Sequence, residues 1–381
     1  MRPLRINGGQ ALVGNEIVPA DLLLENGRIA ALDSSKPADG FDASGLLVLP
    51  GIIDLHGDAF ERQFQPRPGV DFPAALALAD TERQLLANGI TTAFHGVTLS
   101  WEPGLRSLDA WRILLDALAA GAWTCDMRVH LRWEAFNLEA LETALADIAA
   151  GRVHLLAFND HTASIQKKLK DPVTGAKYSD RAGMGLEEFR ALANRIAGRA
   201  AEVPPALARL AEAARAAGLP MASHDDDTIP VRTHFREMGA SICEFPMAEE
   251  VGAAARGAGD AVVMGSPNVV RGRSHLGWAS AARLAEAGIC SVLSSDYYYP
   301  CLLQAAFILA GRGTLALPAA WGLISANPAA AARLTDRGAI APGMRADLVL
   351  VDARGALPRP VATIAGGRVA HLDAAGWARL R

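Results

Sequence analysis

Eight short apolar runs recur between residues 51 and 294, and alanine- and leucine-rich stretches separate most of them. The runs are Gly51–Leu55, Thr91–Val97, Met127–Trp133, His154–Asn159, Pro220–Ser223, Ser241–Phe245, Ala261–Met264 and Cys290–Ser294. The intervening stretches Ala74–Asn88, Leu138–Ala150, Leu186–Arg215 and Ser280–Glu286 carry helical spacing. Strands that alternate with helices pair in parallel, and eight such units predict an α/β fold, a (β/α)8 TIM-type barrel over residues 46–337. The segment 162–185 breaks the rhythm. It is too long for a plain connection and is read as a loop lining a site.

The two chain ends follow a different pattern. Residues 1–45 hold short strands and turns, with Asn26-Gly27 between two apolar runs as a hairpin signal. Residues 338–381 return to turn and strand, as in Arg345-Ala346-Asp347-Leu348-Val349-Leu350-Val351-Asp352. Together the ends are expected to form one small, discontinuous β-sandwich domain beside the barrel.

Composition narrows the functional classes. A formal charge of −4 on 381 residues, with 20% charged positions, argues against a general nucleic-acid or membrane surface. No apolar run reaches the length of a bilayer span. Cys125, Cys243, Cys290 and Cys301 are widely spaced and read as buried, reduced thiols, which fits a cytoplasmic protein. No Gly-x-Gly-x-x-Gly follows a strand, so no nucleotide cofactor is expected. Lysine occurs only five times, arginine supplying the other 32 basic residues, and Lys167, Lys168, Lys170 and Lys177 fall within eleven positions. In a chain that otherwise uses arginine for its basic charge, such a cluster asks for a reason beyond a randomly solvated loop.

In a barrel of this type the active site lies at the C-terminal ends of the strands. Collecting the polar residues there gives His56 with Asp58, His95, Glu134, Asp160 with His161, His224 with Asp225, Glu244, Asn268 and Asp296. Positions i and i+2 of a strand share a face, so His56 and Asp58 are able to meet one ion. Imidazole and carboxylate are both ligands of Zn²⁺ and related ions. Any one of these residues has a plainer reading, as a helix cap or a loop hydrogen-bonder; Asp226 and Asp227 fit that reading well. Polar residues gathered at nearly every strand end do not.

Pro50-Gly51-Ile52-Ile53-Asp54-Leu55-His56 and Gly343-x-x-Ala346-Asp347-Leu348-Val349 resemble the amidohydrolase superfamily of metal-dependent barrels. Within it, the chain is similar to the phosphonate-utilisation subgroup tied to the carbon–phosphorus lyase pathway. The stretches that carry this include Pro66-Arg67-Pro68-x-Val70-Asp71-Phe72-Pro73, His130-Leu131-Arg132-x-Glu134, Gly175-x-Lys177-Tyr178-Ser179 and Ala222-Ser223-His224-Asp225-Asp226. Met264-Gly265-x-Pro267-Asn268-x-Val270-Arg271-Gly272-x-Ser274-His275 and Ser294-Ser295-Asp296-Tyr297-Tyr298 extend it. Asp58 stands where the superfamily commonly has a second histidine, no lysine ends the fourth strand, and Glu244 ends the sixth. A bridging role then falls to Glu134, or the site holds a single ion.

The resemblance implies a hydrolase that cleaves the triphosphate of alpha-D-ribose 1-methylphosphonate 5-triphosphate and releases diphosphate. It implies one or two divalent ions, zinc above all, held by His56, Asp58, Glu134, His224 and Asp296, with Asp296 and His224 catalytic and Asp296 the base for an activated water. Asp160, His161, Lys167, Lys177, Arg271 and His275 are the expected substrate contacts, joined by Arg67 and Arg273. The partners expected are a small phosphorylated anion and, at most, further copies of the same chain. Two rivals remain: an amidase, deacetylase or deaminase on the same barrel, and a barrel that binds without catalysis.

Overall fold

The computed structural model describes residues 2–33, 39–67, 69–272 and 280–380. Eight parallel strands follow chain order around one sheet: Ile52–Gly57, Ile90–Leu99, Asp126–Glu134, Leu155–Asn159, Met221–His224, Ile242–Glu244, Ala261–Gly265 and Val292–Ser294. Gly57, the last residue of the first strand, and Asp296, two residues past the last strand, form a parallel bridge. There the Asp296 N–H donates to the His56 carbonyl and the Asp58 N–H to the Asp296 carbonyl, both at 2.9 Å. The result is a nearly closed eight-stranded barrel.

Alternation within these strands places each side chain. Ile53, Leu55, Phe94, Leu155, Ala157, Ala222, Ile242, Val263 and Val292 pack together as the apolar floor inside the barrel. On the third strand, Leu131 and Trp133 point outward into a separate core under the helices. His130, Arg132 and Glu134 therefore share the inward face. Polar groups rise above an apolar floor, and that layering makes the C-terminal mouth the chemical end.

The chain ends build a second eight-stranded sheet. Its strands are Leu4–Val13, Glu16–Glu25, Arg28–Leu32, Asp39–Asp42, Leu47–Pro50, Leu348–Asp352, Arg359–Ala365 and Arg368–Leu372. Asn26 and Gly27 (φ 51° and 79°) make the tight turn that their sequence signalled. Leu47–Pro50 pairs with Leu348–Asp352, so the strand leading into the barrel belongs to this sheet. The Pro50 carbonyl accepts from the buried Trp321 indole at 3.0 Å, fixing the junction against the barrel.

Segment 162–185 is not the loop read from the sequence. Helices Thr162–Leu169 and Pro172–Ala182 occupy it. The Asp171 side chain caps the second helix by accepting the Thr174 N–H at 2.7 Å, Pro172 fills its first turn, and Gly183 closes it at φ 65°. Trp101, Ile165, Leu169, Ala182 and Phe189 bury the apolar side of this layer.

Candidate active site

His56 from the first strand and His224 from the fifth stack with ring centroids 5.2 Å apart and planes 15° from parallel. Each directs Nδ1 at the same oxygen of Glu244 on the sixth strand, at 3.1 and 3.3 Å. Phe245 meets both rings edge-on, 4.9 and 5.2 Å away, and holds them from the side. Burial lowers the pKa of both imidazoles well below 6.5, so they are neutral at pH 7 and each keeps one nitrogen lone pair. Burial also raises the pKa of Glu244. Its second oxygen, Oε1, has no hydrogen-bond partner among the described residues, and neither does the adjacent His130 Nε2.

Acids crowd the rim of this cluster. Burial, reinforced by neighbouring carboxylates, pushes Asp58 up to about 6 and Asp296 up to about 7. Asp54, also pushed to about 6 by burial, accepts from the Ser295 N–H at 2.9 Å and the Ser295 hydroxyl at 2.5 Å. It thereby anchors the turn that presents Asp296. Asp225, Phe245 and Asp296 all take left-handed backbone angles (φ 58°, 51° and 56°) just beyond strand ends. For residues with a Cβ this costs on the order of 1 kcal/mol each, a strain typical of functional strand ends.

Glu134 stands apart from the imidazole pair. Its Oε1 lies 2.5 Å from His161 Nδ1, and its Oε2 accepts the His161 N–H at 3.0 Å. Burial opposes charge on His161, but hydrogen bonds to Asp225 and Glu134 outweigh it and raise the ring to about 9. His161 is thus an imidazolium at neutral pH.

Other expected residues distribute unevenly. Asp160 accepts the Thr162 N–H at 3.0 Å and starts the following helix. Lys167 and Lys177 are exposed on their helices, and Lys168 donates to the Tyr178 hydroxyl at 2.9 Å. Exposed Arg271 donates to the Tyr297 hydroxyl at 3.2 Å. Asn268 accepts the Ala281 N–H at 3.1 Å. His95 points away from the mouth: a Cβ on its neighbour Gly96 would meet His56 Nε2 at 3.5 Å, so His95 takes the opposite face, against Phe60. His275 and Arg273 lie outside the described residues. Asp226, read as a cap, instead binds the Ser223 hydroxyl at 2.5 Å and the buried Arg232 at 3.5 Å.

Two groups of side chains offer ligand atoms within 4.8 Å of one another: His56, His224 and Glu244, and His161, His224 and Asp225. Neutral imidazoles, an orphaned carboxylate oxygen and a rim of mutually repelling acids fit a divalent cation. Arg132 went unassigned in the sequence, although its spacing from His130 and Glu134 on one strand face was visible there. Its Nη2 donates to His224 Nε2 at 3.0 Å.

Comparison with known proteins gives this geometry its context. No family model matches the chain. It is 34% identical over 359 residues to the alpha-D-ribose 1-methylphosphonate 5-triphosphate diphosphatase of Escherichia coli (strain K12), covering 91% of this chain and 94% of that one. The chain belongs to this diphosphatase family. Its fold is that of solved amidohydrolase structures. The beta-aspartyl dipeptidase of Fervidobacterium islandicum AW-1 aligns with TM-score 0.62 and 15% identity over 97% of both chains. The dihydropyrimidinase of Brevibacillus agri NCHU1002 aligns with TM-score 0.60 and 14% identity over 97% of this chain and 95% of that one. The N-acetylglucosamine-6-phosphate deacetylase of Pasteurella multocida aligns with TM-score 0.63 and 10% identity, over 96% and 98%. Like the family it belongs to, the chain is a hydrolase. Among the described residues, no helix is long and apolar enough to cross a membrane.

Proposed function

We propose that the chain hydrolyses the α–β phosphoanhydride of alpha-D-ribose 1-methylphosphonate 5-triphosphate, releasing diphosphate, with zinc as the divalent ion. The observation that carries this is 34% identity sustained along 91% of the chain to a protein of that name. The cluster of His56, His224 and Glu244 at the barrel mouth supports it. We read the nearly closed barrel as the (β/α)8 catalytic domain, 46–337, and the ends, 1–45 and 338–381, as the small β domain, with Leu47–Pro50 joining the two. Four buried, free cysteines suit a cytoplasmic enzyme.

In this reading His56, His224 and Glu244 would hold the ion, with Asp58 and Asp296 among the acids at the rim of the cluster. A divalent ion held there would lower the pKa of water toward neutrality. Asp296, pushed to about 7 by burial and by Asp58, has the affinity to take the proton from an attacking water near neutral pH. Glu134 serves as the partner of His161, whose imidazolium faces the incoming anion. Asp160 sets the start of the helix behind His161. Exposed Lys167, Lys177 and Arg271 supply outer contacts that draw in a polyanion.

A substrate panel tests the proposal. Protein stripped by chelation and reloaded with Zn²⁺ should release diphosphate from the ribosyl triphosphate faster than from nucleoside triphosphates, and should leave simple amides intact. Amide turnover without diphosphate release would reject it, as would full activity in the stripped protein.

A further inference from the structure

The mouth leaves one sequence motif without a task. The stretch 66–73, which follows the first barrel strand, gives no group to the ion cluster. It folds back on helix Glu61–Phe64 instead. The Phe72 N–H donates to the Phe64 carbonyl at 2.9 Å, and the Gln65 amide donates to the Asp71 carboxylate at 2.8 Å. Val97 and Thr98, near the end of the second strand, and the first turns of helix Leu108–Ala120 form the other walls. Between them lies a cavity of about 300 Å³, at the lower end of the size range of small-molecule sites.

Its lining is chiefly apolar. Phe60, Phe64, Phe72, Leu105 and Leu114 supply most of it, and Phe60 meets Phe64 edge to face with centroids 5.9 Å apart. Phe60, Phe64, Val97 and Leu114 belong to the core beneath the helices, whereas the barrel floor is a separate cluster. The cavity therefore stands beside the mouth and shares no wall with His56, His224 or Glu244. Phe72 and Ile113 line it and are 45% and 59% exposed, so it opens to solvent.

The polar side chains of the lining are almost all engaged. Glu61 accepts from Nε and Nη2 of Arg106, each at 3.3 Å, Gln65 is tied to Asp71, and the Ser107 hydroxyl accepts the Ala110 N–H at 3.3 Å. Thr98 is the exception. It is 3% exposed, and its hydroxyl has no hydrogen-bond partner among the described residues. Buried hydroxyls are normally paired, and leaving one unpaired is costly.

We propose that this cavity binds a compact, uncharged aromatic molecule carrying one hydroxyl, which hydrogen-bonds the Thr98 hydroxyl while its ring packs among Phe60, Phe64 and Phe72. Aromatic rings are favoured partners of other rings, edge to face or offset. A charged or many-hydroxyl ligand would leave polar groups unmatched against these walls, so a ribosyl triphosphate has no part that suits them. The site is one for a second ligand, and it stands or falls independently of the phosphoanhydride reading.

The test uses p-cresol and toluene, its hydroxyl-free analogue. Each is titrated by ligand-observed NMR into the full chain as wild type, Thr98→Val and Ala110→Phe. Wild type should bind one p-cresol per chain, roughly fivefold more tightly than toluene. Thr98→Val keeps the shape and removes the hydroxyl, and should bring the two affinities within about twofold of each other. Ala110→Phe fills the cavity and should abolish binding of both. Absence of saturable p-cresol binding in wild type would overturn the proposal, as would undiminished binding in an Ala110→Phe protein that melts like wild type. Should Ala110→Phe fail to fold, Thr98→Val decides alone: a p-cresol preference that survives there overturns the proposal, and its loss supports it.

Discussion

Glu134 grips His161 at two points, the ring Nδ1 at 2.5 Å and the backbone N–H at 3.0 Å. The paired contact fixes both the position and the charge of the imidazole. His161, raised to about 9, holds its proton where an unfolded histidine near 6.5 has lost it. The pair therefore stabilises the fold fully below pH 6.5, and that contribution fades as pH rises through 9. Glu134→Gln should move the His161 titration downward, read by NMR of its ring protons, and flatten the loss of stability between pH 7 and 9. An unmoved titration would show that Glu134 does not set this charge.

Glu244 is the shared acceptor of two neutral imidazoles, so its replacement should be felt at the ion rather than in the fold. Glu244→Gln keeps the volume and removes the charge. Groups that ligate an ion or orient its ligands are worth roughly 10- to 100-fold in metal affinity. A drop of that size is expected in competition with a chromogenic chelator, with a melting temperature close to wild type. Unchanged Zn²⁺ affinity would move the ion away from this group.

His95 is buried and neither ring nitrogen has a partner among the described residues. Burial depresses it to about 4, against 6.5 for an exposed imidazole. The unfolded chain thus takes up this proton first as pH falls, and stability drains between pH 6.5 and 4. The full difference is about 3 kcal/mol. His95→Leu should lessen the gap between urea denaturations at pH 7 and pH 5. An undiminished gap would place the acid sensitivity elsewhere.

Lys167 and Lys177 are exposed, and exposed charge contacts are worth up to about 1 kcal/mol each. Replacing both by alanine should raise KM for a triphosphate several-fold at low ionic strength, leave kcat nearly unchanged, and lose its effect at high salt. A large fall in kcat would instead put these lysines at the reacting atoms.

The sequence revealed the barrel because its strands are apolar and its helices alanine-rich, and period alone separates the two. All eight runs lie within strands or share most of their residues with one. The Asp171-Pro172 and Gly183 signals of a capped helix are equally present in 162–185, but the segment lacks the alanine- and leucine-rich run that marks the other helical stretches. His56, His224 and Glu244 were legible as strand-end residues. Their convergence was not, because residues 56 and 244 meet only through closure of the barrel. Arg132 was the hardest to place, since a buried arginine becomes intelligible only once its acceptor is seen. His95 is the opposite case: its place near a strand end reads as part of the mouth, and alternation from the inward-facing Gly96 puts it on the outward face, against Phe60.

The most direct measurement is a phosphorus NMR time course of Zn²⁺-loaded protein with alpha-D-ribose 1-methylphosphonate 5-triphosphate. The account predicts that diphosphate and a ribosyl 5-phosphate monoester grow in together as the triphosphate signals decay. Orthophosphate as the first product, or a triphosphate that persists unchanged, would contradict it.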